Sequence, residues 1–148
     1  MNYFRKKLPW LLVILWMTMI FYLSHQPATK SNCLSKEITE KIVKVVEKIV
    51  MDVDFNSVNF NHLIRKNAHF FSYLLLGVLV MNGLRSSGVS GYRIIVFALG
   101  ICILYAISDE VHQLFVPGRG GRVTDVIIDS AGAVVGIGIY FVEVMICQ

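Results

Sequence analysis

Charge is what this chain has least of. Asp, Glu, Lys and Arg make up 16% of its 148 residues against 55% apolar types, and the mean hydropathy is +0.63. That balance excludes an ordinary soluble domain and points to one small membrane domain over residues 1–148. Cysteine is scarce too: Cys33, Cys102 and Cys147 lie far apart, so neither an intramolecular disulfide nor a paired-cysteine zinc motif is expected. A leader cleavage site is missing, because Ser24-His25-Gln26-Pro27 offers no small-x-small pattern; the first apolar run reads as an uncleaved signal anchor. No internal repeat is apparent. The excess of 14 basic over 10 acidic residues and the pI near 9.1 would suit nucleic acid. The basic residues, however, sit at the ends of apolar segments, where they anchor helices to anionic head groups. Membrane lipids are therefore expected as partners, and nucleic acid is not.

What is present is a set of four apolar runs at about 8–23, 68–84, 92–116 and 124–146, which predicts an all-α integral membrane bundle of four transmembrane helices. The first follows Arg5-Lys6-Lys7 and carries Trp10 and Tyr22 near its two ends, as interfacial aromatic belts require. In the third, residues 94–107 are uninterruptedly apolar but reach only about 21 Å at 1.5 Å per residue, short of a core roughly 30 Å thick. The helix must continue through Val111, Leu114, Phe115 and Val116 until Pro117-Gly118 stops it. Ser108, Asp109, Glu110, His112 and Gln113 then fall in the last turns of a spanning helix, where polar groups are costly and mark a site.

Basic flanks set the expected orientation. Arg5, Lys6 and Lys7 precede the first helix, and Arg85 and Arg93 bracket the short second connection, so both termini of a multi-pass membrane protein are expected in the cytoplasm. The loop 24–66 is then external. Within it, Ile38, Ile42, Val45, Val46 and Ile49 recur at helical spacing behind Ser35, a candidate N-cap, with Glu37/Lys41 and Glu40/Lys44 opposite. That pattern predicts one extracytoplasmic amphipathic helix over 35–51, packed on its own bundle, lying on the outer leaflet or folded over the polar cluster as a lid. The stretch 52–62 reads as a connector. Parity brings Ser24-His25-Gln26, Arg65-Lys66, His69, Asp109-Glu110, His112-Gln113, Arg119, Arg122 and Asp125 to one outer face.

Spacing suggests how these groups work together. Tyr105, Asp109 and His112 share a face, so an acid can orient the histidine, while Glu110 lies about 100° round the helix and reads as free for a ligand. Arg65, His69 and Ser72 form a stripe on the second helix, with Tyr73 one turn beyond His69. On the fourth, Asp125, Asp129, Gly132 and Gly136 align, and the two glycines predict close helix packing inside the monomer. Arg119-Gly120-Gly121-Arg122 before a helix N-terminus combines forked donors with backbone amides, which suits a phosphate or carboxylate. The expected ligand site is Arg65, Lys66, His69, Glu110, Gln113, Arg119, Arg122, Asp125 and Asp129. Asp109, Glu110, His112 and His69 have ligand chemistry but no spacing such as His-Glu-x-x-His, so neither metal nor cofactor is expected. The competing structural reading pairs Arg119 or Arg122 with Asp125, Arg65 or Lys66 with Glu110, and His69 or His112 with Asp109. For Arg119-Gly120-Gly121-Arg122 itself the alternative is that both arginines reach ordinary head groups while Thr124 caps the last helix.

These residues also carry a resemblance. SHQP at 24–27, RKNAHFFSYLLLG at 65–77 and SDEVHQLFVPGRGGRVTDVIIDSAGAVVG at 108–136 resemble the VanZ-like family of small bacterial membrane proteins, named after a teicoplanin-resistance protein. The ordered set Glu110, Gln113, Pro117-Gly118-Arg119, Asp125 and Gly132 is its most specific part, and Asp129 stands where many members have asparagine. The resemblance implies a cell-envelope membrane protein linked in its founding member to teicoplanin susceptibility, without a settled activity. Two functions follow from the residues. One is a binding protein whose arginines hold an anionic envelope lipid or a glycopeptide ligand. The other is a membrane-embedded enzyme using Glu110 or Asp109 with His112 as an acid/base pair on a lipid-linked substrate.

Overall fold

The computed structural model describes residues 2–27 and 57–146. They form four helices: α1 (Asn2–Ser24), α2 (Ser57–Ser86), α3 (Tyr92–Gln113) and α4 (Val123–Ile146). Among the described residues there is no strand. Each helix holds a segment long and apolar enough to cross a membrane: Lys7–Ser24, Arg65–Ser86, Tyr92–Gln113 and Val123–Val144. The protein is a multi-pass membrane protein. The amphipathic helix expected at 35–51 lies outside the described residues.

Boundaries differ from the sequence expectation where polarity misleads. α2 begins at Ser57 rather than near residue 68, so the asparagine-rich end of the expected connector is helical; a helix carries on past the membrane without needing apolar residues. α3 ends at Gln113, not 116. Its backbone tightens first: the amides of Leu114, Phe115 and Val116 each bond the carbonyl three residues back. Pro117 then supplies no donor, and Gly118 turns the chain at φ +75. α2 closes on a Schellman motif, in which Gly88 at φ +89 bonds Arg85 and Val89 bonds Leu84.

Small residues set the packing. α2 is central and meets every other helix, most extensively α4. An added Cβ at Gly132 would run into the Phe70 carbonyl, and one at Gly136 into that of Leu74, whereas Gly138 faces open space. The expected seam is therefore present. It is deepened by Gly77 of α2, whose Cβ would stand 2.6 Å from the Ala133 carbonyl. Backbones this close gain dispersion contact along their length, the main source of helix association where lipid removes the hydrophobic drive.

The core runs along this seam. Tyr73, Leu76, Val80 and Met81 of α2 pack with Ala98, Cys102 and Ala106 of α3, Ala133 and Ile137 of α4, and Val13 and Ile20 of α1. Large apolar side chains such as Leu15, Leu104, Val134 and Val142 point outward, as lipid-facing positions do. The inner stripe of α3 runs Ile94, Ala98, Cys102, Ala106 and then Asp109, Glu110 and Gln113, all buried. That of α4 ends in Asp129, also buried. Both stripes turn from apolar to acidic at the same end of the bundle.

Candidate functional site

At this end α1 delivers Ser24, buried against α3. Its Oγ donates to Asp109 Oδ2 at 2.8 Å, and Gln113 Nε2 donates to the same oxygen at 3.3 Å. Asp109 is thus held by a hydroxyl and an amide. The expected pairing of Asp109 with His112 does not form. His112 instead faces α1, where its Nε2 stands 3.0 Å from His25 Nδ1 and its ring meets Phe21 with centroids 4.3 Å apart. The reason is azimuth: the small-residue stripe of α3 turns Asp109 into the bundle, and His112, three residues on, leaves that stripe toward the neighbouring helix. Tyr105 likewise turns to α1, donating its hydroxyl to the Met17 carbonyl. The acid/base pair of the enzyme reading is not assembled by these contacts.

Glu110 is also corrected. It is buried rather than free, and its Oε2 accepts the Arg122 amide at 2.8 Å. Arg122 stands at the mouth of α4, its carbonyl accepting the first helical amides from Asp125 and Val126. A carboxylate thus sits on the positive end of α4, the task expected of Thr124, which lies one residue inside the helix. Gly121 permits this, since a Cβ there would stand 2.6 Å from the Glu110 carbonyl.

Ion pairs join α2 to α4 in rungs above the glycine seam. Lys66 Nζ lies 3.8 Å from Asp125 Oδ1, and His69 Nδ1 lies 3.6 Å from Asp129 Oδ1. The pairings expected in the structural reading are therefore replaced: Asp125 takes Lys66 and not an arginine, and His69 takes Asp129. The spacing explains it, because 66/69 on α2 and 125/129 on α4 advance by about one turn each and stay in register where the backbones touch.

Arg119 closes the site from the loop between α3 and α4. Its guanidinium donates to the Leu23 carbonyl at 3.3 Å, covering an end carbonyl of α1, while its buried Nε has no hydrogen-bond partner. Burial, and after it the positive charge of Arg65, push this guanidinium below its ordinary value, with Asp109 and Glu110 pulling it back. Arginine stays protonated even so.

Together these elements enclose a cavity of about 90 Å³, room for a few waters or one small anionic group. Arg65, Lys66, His69, Glu110, Gln113, Arg119, Arg122, Asp125 and Asp129 all line it. Asp109 and His112 are not among its lining residues. Gly118, Gly120 and Ile128 complete the wall; sequence reasoning did not single them out as lining, and only the two glycines, flanking Arg119, gave a signal. Donor atoms of His69, Asp109 and Asp129, from three helices, come within 4.8 Å of one another. The sequence gives no spacing for such a trio because each residue belongs to a different helix.

Comparison with known proteins adds one finding. A family model described as VanZ/LLP1 matches residues 9–146, nearly the whole chain. Neither the curated proteins nor the solved structures give a match.

Proposed function

The chain belongs to the VanZ/LLP1 family, and on that premise we propose that it is a cell-envelope membrane protein whose polar pocket binds the anionic head group of an envelope lipid or related ligand. The observation that carries this reading is unbalanced positive charge. Of the three acids lining the pocket, Asp125 and Asp129 face Lys66 and His69, and Glu110 is committed to the Arg122 amide. Among the described residues, no carboxylate comes within ion-pair distance of the guanidinium groups of Arg65, Arg119 or Arg122. Arg119 is partly buried, beside a like charge, with an unused donor. Forked donors lining a partly buried pocket at a helix N-terminus suit a phosphate or carboxylate better than water.

The pocket opens at the outer leaflet in this reading, with both termini in the cytoplasm. Arg85 and Arg93 lie at the other end of the bundle with the N-terminal Lys7, which supports that orientation. Holding an anionic ligand there alters what reaches the membrane surface, and a change in glycopeptide susceptibility, teicoplanin included, is the cellular consequence to examine.

The test is the lipid complement of the full-length protein purified in mild detergent and read by mass spectrometry. The wild type is expected to retain an anionic lipid that Arg119→Ala and Arg65→Ala lose; identical lipid profiles overturn the proposal. Orientation is read separately in a background without the native cysteines. Gly120→Cys should react with an impermeant thiol reagent in intact cells and Ser90→Cys should not, and the reverse pattern moves the pocket to the cytoplasmic side.

A further inference from the structure

Beneath the pocket, the bundle holds more negative charge than its neighbours satisfy. Asp109 and Asp129 are 1% and 0% exposed. Oδ1 of Asp109 and both carboxylate oxygens of Asp129 are buried without a hydrogen-bond partner. The His69 contact to Asp129, at 3.6 Å, is too long to be a hydrogen bond. Ser24 and Gln113 both act on the same oxygen of Asp109, Oδ2; they hold the carboxylate in place and leave Oδ1 for another partner. Tyr73, one turn along α2 from His69 and fully buried, adds a hydroxyl that also lacks one. Buried carboxylates in an apolar bundle are costly unless a positive charge meets them. A protonated His69 balances only one.

We infer that His69, Asp109 and Asp129 form a binding site for one divalent transition-metal ion, with zinc the closest match. Their donor atoms lie within 4.8 Å of one another, and two carboxylates neutralise a dication where lipid and protein exclude water. Three protein donors, one of them imidazole, are the number and type that hold zinc with a position left for water. The imidazole argues against magnesium and calcium, which prefer all-oxygen shells. In a tetrahedral shell, donors about 2.0 to 2.2 Å from zinc stand about 3.4 Å apart; His69 and Asp129, at 3.6 Å, are already near that spacing, and atoms as far as 4.8 Å apart close by up to about 1.4 Å on binding. Ser24 and Gln113 then act as positioning residues, orienting Asp109 as outer partners orient metal ligands. A water on the ion gives the Tyr73 hydroxyl a partner. The site uses no arginine and does not depend on the anionic ligand; His69 and Asp129 also line the pocket, so the ion adds positive charge to the wall that ligand meets.

The experiment uses the full-length chain in detergent, purified without a polyhistidine tag, stripped with chelator, incubated with Zn²⁺ or Co²⁺ and desalted before elemental analysis. The wild type should retain one ion per chain, and the Co²⁺ form should show a visible d–d band that Zn²⁺ bleaches. Asp109→Asn and Asp129→Asn keep side-chain shape and should each weaken retention by at least about tenfold, with Ser24→Ala weakening it by about tenfold through Asp109. Glu143→Gln, an exposed carboxylate at the opposite end of the bundle, should leave it unchanged. Substoichiometric retention of both ions by the wild type overturns the inference without reference to any variant, and so does undiminished, wild-type affinity in the two Asp→Asn variants. Arg119→Lys separates the two sites. Metal retained by a wild type that carries no anionic lipid upholds this inference and sinks the other; lipid without metal does the opposite.

Discussion

The two ends of the bundle are built on opposite terms. At the end near Trp10, polar groups serve anchoring. Trp10 Nε1 donates to Ser87 Oγ at 2.8 Å, Ser86 and Ser87 bond back to the Gly83 carbonyl, and Tyr140 reaches Asn82. The charges of Lys7, Arg85, Arg93 and Glu143 are exposed. At the other end, Asp109, Glu110 and Asp129 are buried. Every buried side-chain polar atom without a hydrogen-bond partner among the described residues belongs to Tyr73, Asp109, Arg119, Asp125 or Asp129. One end satisfies its groups locally and leaves charge in water. The other keeps charge in the bundle at a cost that binding partners offset, which is the mark of a site within a membrane.

That contrast depends on a seam both ends share, so breaking the seam has the largest expected effect. Gly132→Leu and Gly136→Leu drive a side chain into the carbonyls of Phe70 and Leu74 and should cost more than about 3 kcal/mol, read as loss of monodisperse protein in detergent. Gly138→Leu should stay within about 0.5 kcal/mol of wild type, and equal damage at all three positions would refute the seam.

Glu110 sharpens the contrast next, because it serves structure at the functional end. Glu110→Ala orphans the Arg122 amide and should lower stability by about 1 to 3 kcal/mol, whereas Glu110→Gln keeps an acceptor and loses only the charge on the helix terminus, about 0.3 to 1 kcal/mol. Thermal unfolding of the two variants distinguishes them; a neutral Glu110→Ala would return this carboxylate to the ligand. Trp10→Phe at the opposite end removes one hydrogen bond and should cost about 0.5 to 1 kcal/mol while leaving lipid and metal retention intact. Smallest in stability is Arg119→Lys, within about 0.5 kcal/mol, yet it replaces a fork by a point charge and should strip the bound lipid. If Trp10→Phe altered retention and Arg119→Lys did not, the division between the ends would fail.

Much of this was legible beforehand, and the exceptions share a pattern. Hydropathy placed four spans, and parity gathered on one face eight of the residues that line the cavity, Asp129 joining them through its stripe with Asp125; the cavity itself was not foreseen, and Asp109 and His112, gathered on the same face, do not line it. The Gly132/Gly136 spacing foretold the close approach of α4 to a neighbour. Partner assignment was not legible: Asp109 was matched to His112 and meets Ser24 and Gln113, and Glu110 was left free and caps α4. A helical wheel gives the angle between two residues of one helix, about 100° per step, but not which neighbour stands at that angle.

The sequence by itself determined that the chain is a four-span membrane bundle with ordinary anchoring groups at one end and its unusual cluster of acids, histidines and arginines at the other. Length, hydropathy and the number of crossings are one-dimensional quantities, and lipid enforces them without regard to packing. Only the tertiary structure decided which groups meet. The rotation of each helix about its own axis is fixed by backbone contact at Gly77, Gly132 and Gly136 and by the small stripe Ala98, Cys102 and Ala106. That rotation, rather than spacing along any one helix, brings His69, Asp109 and Asp129 from three helices to within 4.8 Å of one another.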